Sequence, residues 1–240
     1  MTKTILLTGA GGALGVELVK YLSDKGYIVV CQYRNNDAAL KEALGNRFAS
    51  SCFKAELTDE NEVIDLRQQV EMAFGKIWGV INLAGASSNA MSWKMSISQF
   101  KNTIDDNLTS TFLVSREFIP SMRDQLGGRI INISSVIAFT GAVGASHYCA
   151  AKAGVVGLTK ALALELANKN ITVNALALGY FDRGLIEQVP AAMQADVQAK
   201  TPLKRFGHVN EMGGLIHYLL GDDGAFVTGQ VHHINGGLHL

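Results

Sequence analysis

Thr8-Gly9-Ala10-Gly11-Gly12-Ala13-Leu14-Gly15 is the stretch of sequence that decides the fold. An apolar run at residues 4–8 precedes it, and an amphipathic helical pattern follows at 13–25. Glycine permits a tight strand-to-helix turn, and small residues let backbone N–H groups at the helix N-terminus approach a pyrophosphate. A close-packed strand–helix corner also uses glycine, but the position after the first strand favours dinucleotide binding. The spacing is not G-x-G-x-x-G, and the absence of GK[ST] argues against a nucleoside-triphosphatase loop.

Apolar β-branched runs alternate with amphipathic helical patterns along the whole chain. Strands are predicted at residues 4–8, 27–33, 48–54, 78–83, 129–134, 171–176 and 231–235. Helices are predicted at residues 13–25, 37–44, 59–74, 96–123, 146–168 and 209–220. The strands are mostly apolar on both faces, which is typical of a parallel sheet covered by helices on both sides. The pattern predicts one α/β domain over residues 1–240, a Rossmann-like doubly wound parallel sheet of about seven strands.

Composition excludes several classes of function. The 21 basic and 21 acidic side chains cancel, so nothing marks a nucleic-acid partner or an anionic membrane surface. Hydrophobic residues make up 48% of the chain and charged residues 18%, which supports a large core and argues against disorder. Cys31, Cys52 and Cys149 form no CxxC pair, so we expect reduced thiols in a cytoplasmic protein.

A histidine pair and a proline-containing stretch also bear on function. His232 and His233 are adjacent in a predicted strand, where their side chains point to opposite faces, so no metal site is predicted. Pro190 and Pro202 lie in the one long irregular stretch, at about 178–205. We expect this stretch to form a mobile lid over the substrate.

Tyr148 and Lys152 lie four residues apart in the helix predicted at 146–168, so their side chains share one face. A lysine ammonium one turn away should favour phenolate and lower the tyrosine pKa from its usual value of about 10. Ser135 follows the strand predicted at 129–134, where its hydroxyl could orient a substrate carbonyl. A Tyr/Lys pair is also common on an ordinary exposed helix face. The uncharged segment around the pair and the serine at a strand end favour a catalytic site.

These motifs together resemble those of the short-chain dehydrogenase/reductase family, in particular its bacterial 3-oxoacyl-acyl-carrier-protein reductases, over essentially the whole chain. The family pattern T-G-x₃-[AG]-x-G is matched by Thr8, Gly9, Ala13 and Gly15, and N-[N]-A-G by Asn82-Leu83-Ala84-Gly85. The family's helix asparagine is matched by Asn107, and its Ser and Y-x₃-K by Ser135, Tyr148 and Lys152. All of them occur in the family's order and at its spacing.

The resemblance implies a catalytic set. Tyr148 would donate a proton to a carbonyl during hydride transfer from nicotinamide, and Ser135 would bind the carbonyl oxygen. Lys152 would hold the ribose hydroxyls and lower the tyrosine pKa, and Asn107 would support a proton-relay water. General acid catalysis of this kind is worth about 10²–10⁴-fold.

The resemblance also implies which residues bind the cofactor. They are Thr8, Gly9, Gly11, Gly12, Leu14, Gly15, Tyr33, Arg34, Glu56, Leu57, Asn82, Ala84, Gly85, Tyr148, Lys152, Gly179 and Phe181. Three positions depart from the family's pattern, since Leu178 replaces a proline, Arg183 a threonine, and Glu56 an Asp or Asn beside adenine. We therefore expect the loop after the sixth strand to be shaped differently from the family's.

The end of the second strand bears on the choice of nicotinamide. It carries Tyr33-Arg34 instead of an acid that would bind the ribose 2′-hydroxyl and select NAD. Arg34 can pair with a 2′-phosphate, or it can be a solvated loop arginine. Gly12 stands where NADP-dependent members of the family often have a basic residue. NADP(H) is favoured over NAD(H).

The predicted function is reduction of a ketone by NADPH, with a 3-oxoacyl compound or another small carbonyl as substrate. The alternatives are an NAD-dependent secondary-alcohol or polyol dehydrogenase and a non-catalytic nicotinamide-binding protein. The predicted partners are a small-molecule substrate and further copies of the chain, with no nucleic acid and no membrane. In this family the helix that carries Ala153, Gly157 and Leu164 packs in a homotetramer or homodimer, although that face could also cover the chain's own sheet.

Overall fold

A computed structural model of the chain describes residues 2–240, apart from the side chains of residues 185 and 188. Its strands are β1 Thr4–Leu7, β2 Ile28–Tyr33, β3 Cys52–Lys54, β4 Gly79–Asn82, β5 Gly128–Ser135, β6 Ile171–Leu178 and β7 Val231–Ile234. All pairings are parallel, and the spatial order is β3-β2-β1-β4-β5-β6-β7. The predicted Rossmann-like α/β fold is confirmed.

Helices cover both faces of this sheet. They are α1 Ala13–Asp24, α2 Ala38–Leu44, α3 Phe48–Ser51, α4 Glu60–Phe74, α5 Ile97–Ile104, α6 Ser110–Asp124, α7 Ile137–Thr140, α8 Ser146–Leu166, α9 Ala191–Lys200 and α10 Val209–Leu220. Alternate residues of β1 enter two different cores: Ile5 and Leu7 pack with residues of α1 and α10, and Leu6 packs with residues of α4, α6 and α8. Two layers of helices therefore cover a sheet that is apolar on both faces.

The strand order reverses between β1 and β4, and this reversal positions the site. β1 pairs with β2 on one side and with β4 on the other. In an open parallel sheet, ligands bind in the crevice that such a reversal opens at the carboxyl ends of the strands. The turn after β1 and the residues that follow β4, β5 and β6 all lie at this edge.

Two predicted elements are corrected by the structure. Residues 48–54 were predicted as one strand, but Phe48–Ser51 is the helix α3 and only Cys52–Lys54 is extended. Phe48 packs on Tyr33 with ring centroids 5.7 Å apart. This tertiary contact cannot be predicted from a short apolar run, which is compatible with either a strand or a helix. The single helix predicted at 96–123 is two helices joined by a π-helical turn, Asp105–Thr109. Apolar periodicity continues across a π-bulge, so the pattern did not reveal it.

The stretch at 178–205 contains more regular secondary structure than predicted. Its second half forms the helix α9, which begins directly after Pro190, and a 3₁₀ turn at Gly184–Gln188 precedes it. Ala, Gln, Met and Lys make up most of α9 and are good helix formers. The irregular conformation predicted for this half was wrong, and the mobility of the segment stays a prediction.

The cysteines, the helix lengths and the exposed face of α8 are also defined by the structure. Cys31, Cys52 and Cys149 are free thiols. Across residues 2–240, each helix is too short or too polar to cross a lipid bilayer. On α8, Ala153 and Gly157 are exposed and Leu164 is 85% exposed, so most of this face does not cover the chain's own sheet.

Candidate active site

The glycine-rich turn packs closely against neighbouring backbone and leads into the N-terminus of α1. Gly9 has φ +65°, and a Cβ there would lie 2.7 Å from Ala84 Cα. A Cβ on Gly15 would lie 2.5 Å from the carbonyl oxygen of Gly9. Gly12, the N-cap of α1, has no side chain to bind the first amides of the helix. These free N–H groups and the helix dipole suit the pyrophosphate of a dinucleotide.

Thr8 and Asn82 are buried behind this turn. The Thr8 hydroxyl accepts hydrogen bonds from the backbone N–H groups of Leu83 and Ala84, both at 3.1 Å. The Asn82 amide donates to Asn132 Oδ1 at 2.8 Å and to Ser115 Oγ at 3.0 Å. Both side chains therefore hold neighbouring strands and helices in place, and the structure does not place them on the cavity wall.

The other predicted cofactor residues line one cavity of about 1,140 Å³. They are Gly9, Gly11, Gly12, Leu14, Gly15, Tyr33, Arg34, Glu56, Leu57, Ala84, Gly85, Tyr148, Lys152, Gly179 and Phe181. Ser135 also lines this cavity. Asn107 does not line the cavity and is fully buried. The volume exceeds the usual range for one small ligand, about 300–1,000 Å³, and suits a dinucleotide together with a substrate.

Tyr148 and Lys152 project from the first turns of α8. Lys152 Nζ donates to the carbonyl oxygen of Ile133 at 2.9 Å and lies 5.5 Å from the centroid of the Tyr148 ring. Burial lowers the pKa of Lys152 to about 8. Burial, followed by the neighbouring Cys149, also raises the pKa of Tyr148 to about 12, which is opposite to the lowering expected from the lysine. The phenol is therefore protonated at neutral pH, as a proton donor must be.

Hydrogen bonds hold the N-terminal end of α8 in place on two sides. Ser134 Oγ donates to the carbonyl oxygen of Lys152 at 2.9 Å, which ties α8 to β5. His147 Nε2 lies 2.7 Å from the carbonyl oxygen of Ser88, and Ala90 N donates to the carbonyl of Gly144 at 2.9 Å. Sequence reasoning missed His147, whose position beside Tyr148 was the available signal.

Ser135 is the last residue of β5 and lies opposite Leu178 of β6. Its hydroxyl oxygen accepts one long hydrogen bond, 3.4 Å, from the backbone N–H of Ile137. The side chain is half-buried on the cavity wall, at the same edge of the sheet as Tyr148. Its O–H group is therefore free to donate a hydrogen bond to an oxygen in the cavity.

Asn107 is fixed by the π-helical turn. Its amide Nδ2 donates to the carbonyl oxygens of Ala86 at 2.7 Å and Thr103 at 2.9 Å. Its Oδ1 is buried and has no hydrogen-bond partner among the described residues. A Cβ on Gly85 would lie 2.5 Å from this oxygen and 3.3 Å from Lys152 Nζ. Gly85 thus leaves the space between the asparagine and the lysine open.

Backbone hydrogen bonds fix the start of the loop after β6, where Leu178 stands in place of the family's proline. That this loop is shaped differently from the family's stays a prediction. The carbonyl oxygen of Leu178 accepts from Val136 N at 2.7 Å, and Gly179 N donates to Ile234 O at 2.8 Å. Phe181 lies on the cavity wall and is 4% exposed. Arg183 also lines the cavity and forms a 3.6 Å ion pair with Glu187.

The end of the cavity beside β2 holds an arginine between two carboxylates. Arg34 Nη1 lies 3.2 Å from Asp106 Oδ1 and 3.4 Å from Glu56 Oε2. The other oxygen of Glu56 accepts from Thr58 N and Thr58 Oγ1 at 3.2 and 3.0 Å. Sequence reasoning missed Asp106, because only the fold brings the π-helical turn to the end of β2.

Comparisons with known proteins agree with this geometry. A family model described as enoyl-(acyl carrier protein) reductase matches residues 9–239. The chain is 32% identical over 244 residues to the 3-oxoacyl-[acyl-carrier-protein] reductase FabG of Staphylococcus aureus, covering 100% of this chain and 99% of that protein. It is 37% identical over 243 residues to nodulation protein G of Azospirillum brasilense, covering 99% and 98%.

Proposed function

Because the chain belongs to the short-chain dehydrogenase/reductase family, we propose that it reduces a small ketone or a 3-oxoacyl compound to a secondary alcohol with NADPH. The family and the relatives identify it as an NAD(P)-dependent oxidoreductase that acts on a carbonyl or CH–OH group. The observation that carries the proposal is the meeting of Ser135, Tyr148 and Lys152 in the cavity that the glycine-rich turn also lines.

We propose the following roles for the residues of this site. When bound, the reduced nicotinamide supplies a hydride to the carbonyl carbon. Tyr148 donates its phenolic proton to the oxygen as that oxygen becomes alkoxide-like, and Ser135 donates a hydrogen bond to the same oxygen. Lys152 donates one N–H group to the carbonyl oxygen of Ile133, and its other N–H groups would donate to the ribose hydroxyls. The buried Oδ1 of Asn107 accepts from the water or lysine that returns the proton.

The protonation states support the reductive direction. Burial raises the pKa of Tyr148 to about 12, so the acid that reduction requires is present across the neutral range. Oxidation of an alcohol would need the phenolate, which is scarce far below that pKa. Tyr148 is therefore in the form that reduction needs at neutral pH, and oxidation by the same site should become faster as the pH rises toward the pKa of Tyr148.

NADP(H) is the proposed cofactor, and replacing Arg34 tests this choice. Arg34 lines the cavity directly after β2, and the end of this strand itself carries no acid to select the 2′-hydroxyl of NAD. We expect Arg34→Ala to lower the affinity for NADPH about tenfold and the affinity for NADH by less than about twofold. The reason is that only NADPH offers a 2′-phosphate to the guanidinium. Dissociation constants from fluorescence titration of each cofactor provide the measurement. An equal loss for both would contradict the assignment.

The positions of Arg129 and Lys169 argue against a requirement for a carrier-bound substrate. An acidic carrier protein needs basic residues near the mouth of the site. Arg129 is buried and packs over Trp78, with 4.8 Å from its guanidinium carbon to the ring centroid. Lys169 precedes β6 and Arg129 is the second residue of β5, so both lie at the opposite edge of the sheet from the cavity.

We therefore expect a 3-oxoacyl group on coenzyme A, or another small ketone, to be reduced at least as efficiently as the same group on a carrier protein. Measuring kcat/KM for one acyl chain in both forms, from the loss of NADPH absorbance, decides the matter. A carrier-bound substrate preferred more than about tenfold, with the preference lost in Lys169→Glu, would contradict this expectation. If none of a panel of 3-oxoacyl compounds and small ketones were reduced, the result would argue for a nicotinamide-binding protein without turnover.

We also propose that the chain assembles as a homotetramer or homodimer. Leu164 on α8 is 85% exposed and Phe112 on α6 is 42% exposed. Large apolar side chains exposed on neighbouring helices favour a partner surface. Sedimentation of the purified protein measures the state directly.

A further inference from the structure

Arg34 is held by two carboxylates from parts of the chain that are far apart in sequence. Glu56 follows β3, and Asp106 lies in the π-helical turn between α5 and α6. The Arg34 side chain is 49% exposed, that of Glu56 34% and that of Asp106 26%. Asp106 is thus the most buried member of the cluster and the closer of the two acids to the guanidinium.

The two acids differ in what else holds them. Glu56 keeps one carboxylate oxygen on Thr58, so its position does not depend on Arg34. Among the described residues, the hydrogen bond to the Asp106 carboxylate comes from Arg34. Burial raises the pKa of Asp106, while Arg34 opposes the rise. With both acids ionised the three groups sum to one negative charge, beside a site proposed to receive a phosphate.

We infer that Asp106 is a specificity-determining residue that competes with the 2′-phosphate of NADP(H) for Arg34. The inference rests on the proposed function, in which Arg34 reads that phosphate. A phosphate dianion must draw the guanidinium away from Asp106 or share it with a carboxylate of the same sign. The neutral 2′-hydroxyl of NAD(H) meets no such opposition and can donate to a carboxylate oxygen. The π-helical turn thus supplies, through Asp106, the carboxylate that the end of β2 lacks.

The test replaces Asp106 by the isosteric neutral amide. We expect Asp106→Asn to raise the affinity for NADP⁺ relative to NAD⁺ by about three- to fivefold, the size of one partly exposed ion pair. Isothermal titration calorimetry with both cofactors measures this without turnover, and adenosine 2′,5′-bisphosphate against 5′-AMP isolates the adenosine end. Asp105→Asn is the matched control, because Asp105 bonds Thr109 and has no contact with Arg34. This control should leave the ratio unchanged.

The route through Arg34 has its own test. In the Arg34→Ala background, Asp106→Asn should change the affinity ratio by less than about twofold, because the guanidinium for which Asp106 and the phosphate compete is absent. A full three- to fivefold rise in that background would overturn the competition, as would an unchanged ratio in the single variant. If the unaltered protein bound neither cofactor, the proposed function itself would fail, which distinguishes the two failures.

Discussion

Tyr148→Phe is expected to lower kcat for ketone reduction at least a hundredfold while the affinity for the cofactor stays within about threefold. The substitution keeps the ring and its packing but removes the only proton that the proposed mechanism transfers directly to the substrate oxygen. General acid catalysis contributes about 10²–10⁴-fold, which sets the size of the effect. Single-turnover measurement of NADPH oxidation, with cofactor titration by fluorescence, separates the chemical step from binding.

A matched substitution controls for the loss of a phenol. Tyr218 lies on α10, is 40% exposed and does not line the cavity. Tyr218→Phe should therefore retain full activity. If Tyr148→Phe kept more than about a tenth of the activity, another group would have to be the acid and the assigned mechanism would be wrong.

Gly85→Ala is expected to lower kcat/KM about a hundredfold, through a single added methyl group. The new Cβ would lie 2.5 Å from Asn107 Oδ1 and 3.3 Å from Lys152 Nζ. Asn107 cannot swing aside cheaply, because its amide holds two carbonyl oxygens and its side chain is fully buried. The lysine or the asparagine must move, and a displacement of about 1 Å at a catalytic group costs about 10²-fold. Steady-state kinetics on the folded variant measures the effect.

Gly214→Ala adds the same methyl group where there is room. A Cβ on Gly214, in α10, would meet only the Tyr21 hydroxyl at the ordinary contact distance of 3.8 Å. Activity should be unchanged, and the helix should gain up to about 1 kcal/mol from the better helix former. Thermal unfolding of both variants checks that Gly85→Ala is folded when assayed. Activity within fivefold of the unaltered protein would show that the space beside Gly85 is not needed.

The fold could be predicted from the sequence because its signals are local. Strand and helix periodicity, read within windows of a few residues, placed all seven strands and most of the long helices. The same applies to the turn at Gly9–Gly15 and to the helical spacing of Tyr148 and Lys152, since one stretch of backbone fixes their relative positions. Element ends and breaks were the weaker part. The π-helical turn around Asn107 and the helix α3 depend on contacts with Ala86 and Tyr33, far away in sequence.

Only the tertiary structure decided the pKa values, the ion pairs and the free space of the site. The sequence placed Lys152 beside Tyr148 and led us to expect a lowered tyrosine pKa, whereas the pKa is raised to about 12 because the helix end is buried. The ion pair of Arg34 with Asp106 and the space beside Gly85 likewise join residues that no motif connects. Residue types and local spacing follow from the chain itself. Desolvation, charge proximity and free volume depend on which distant segments pack together, so they arise only when the sheet is assembled.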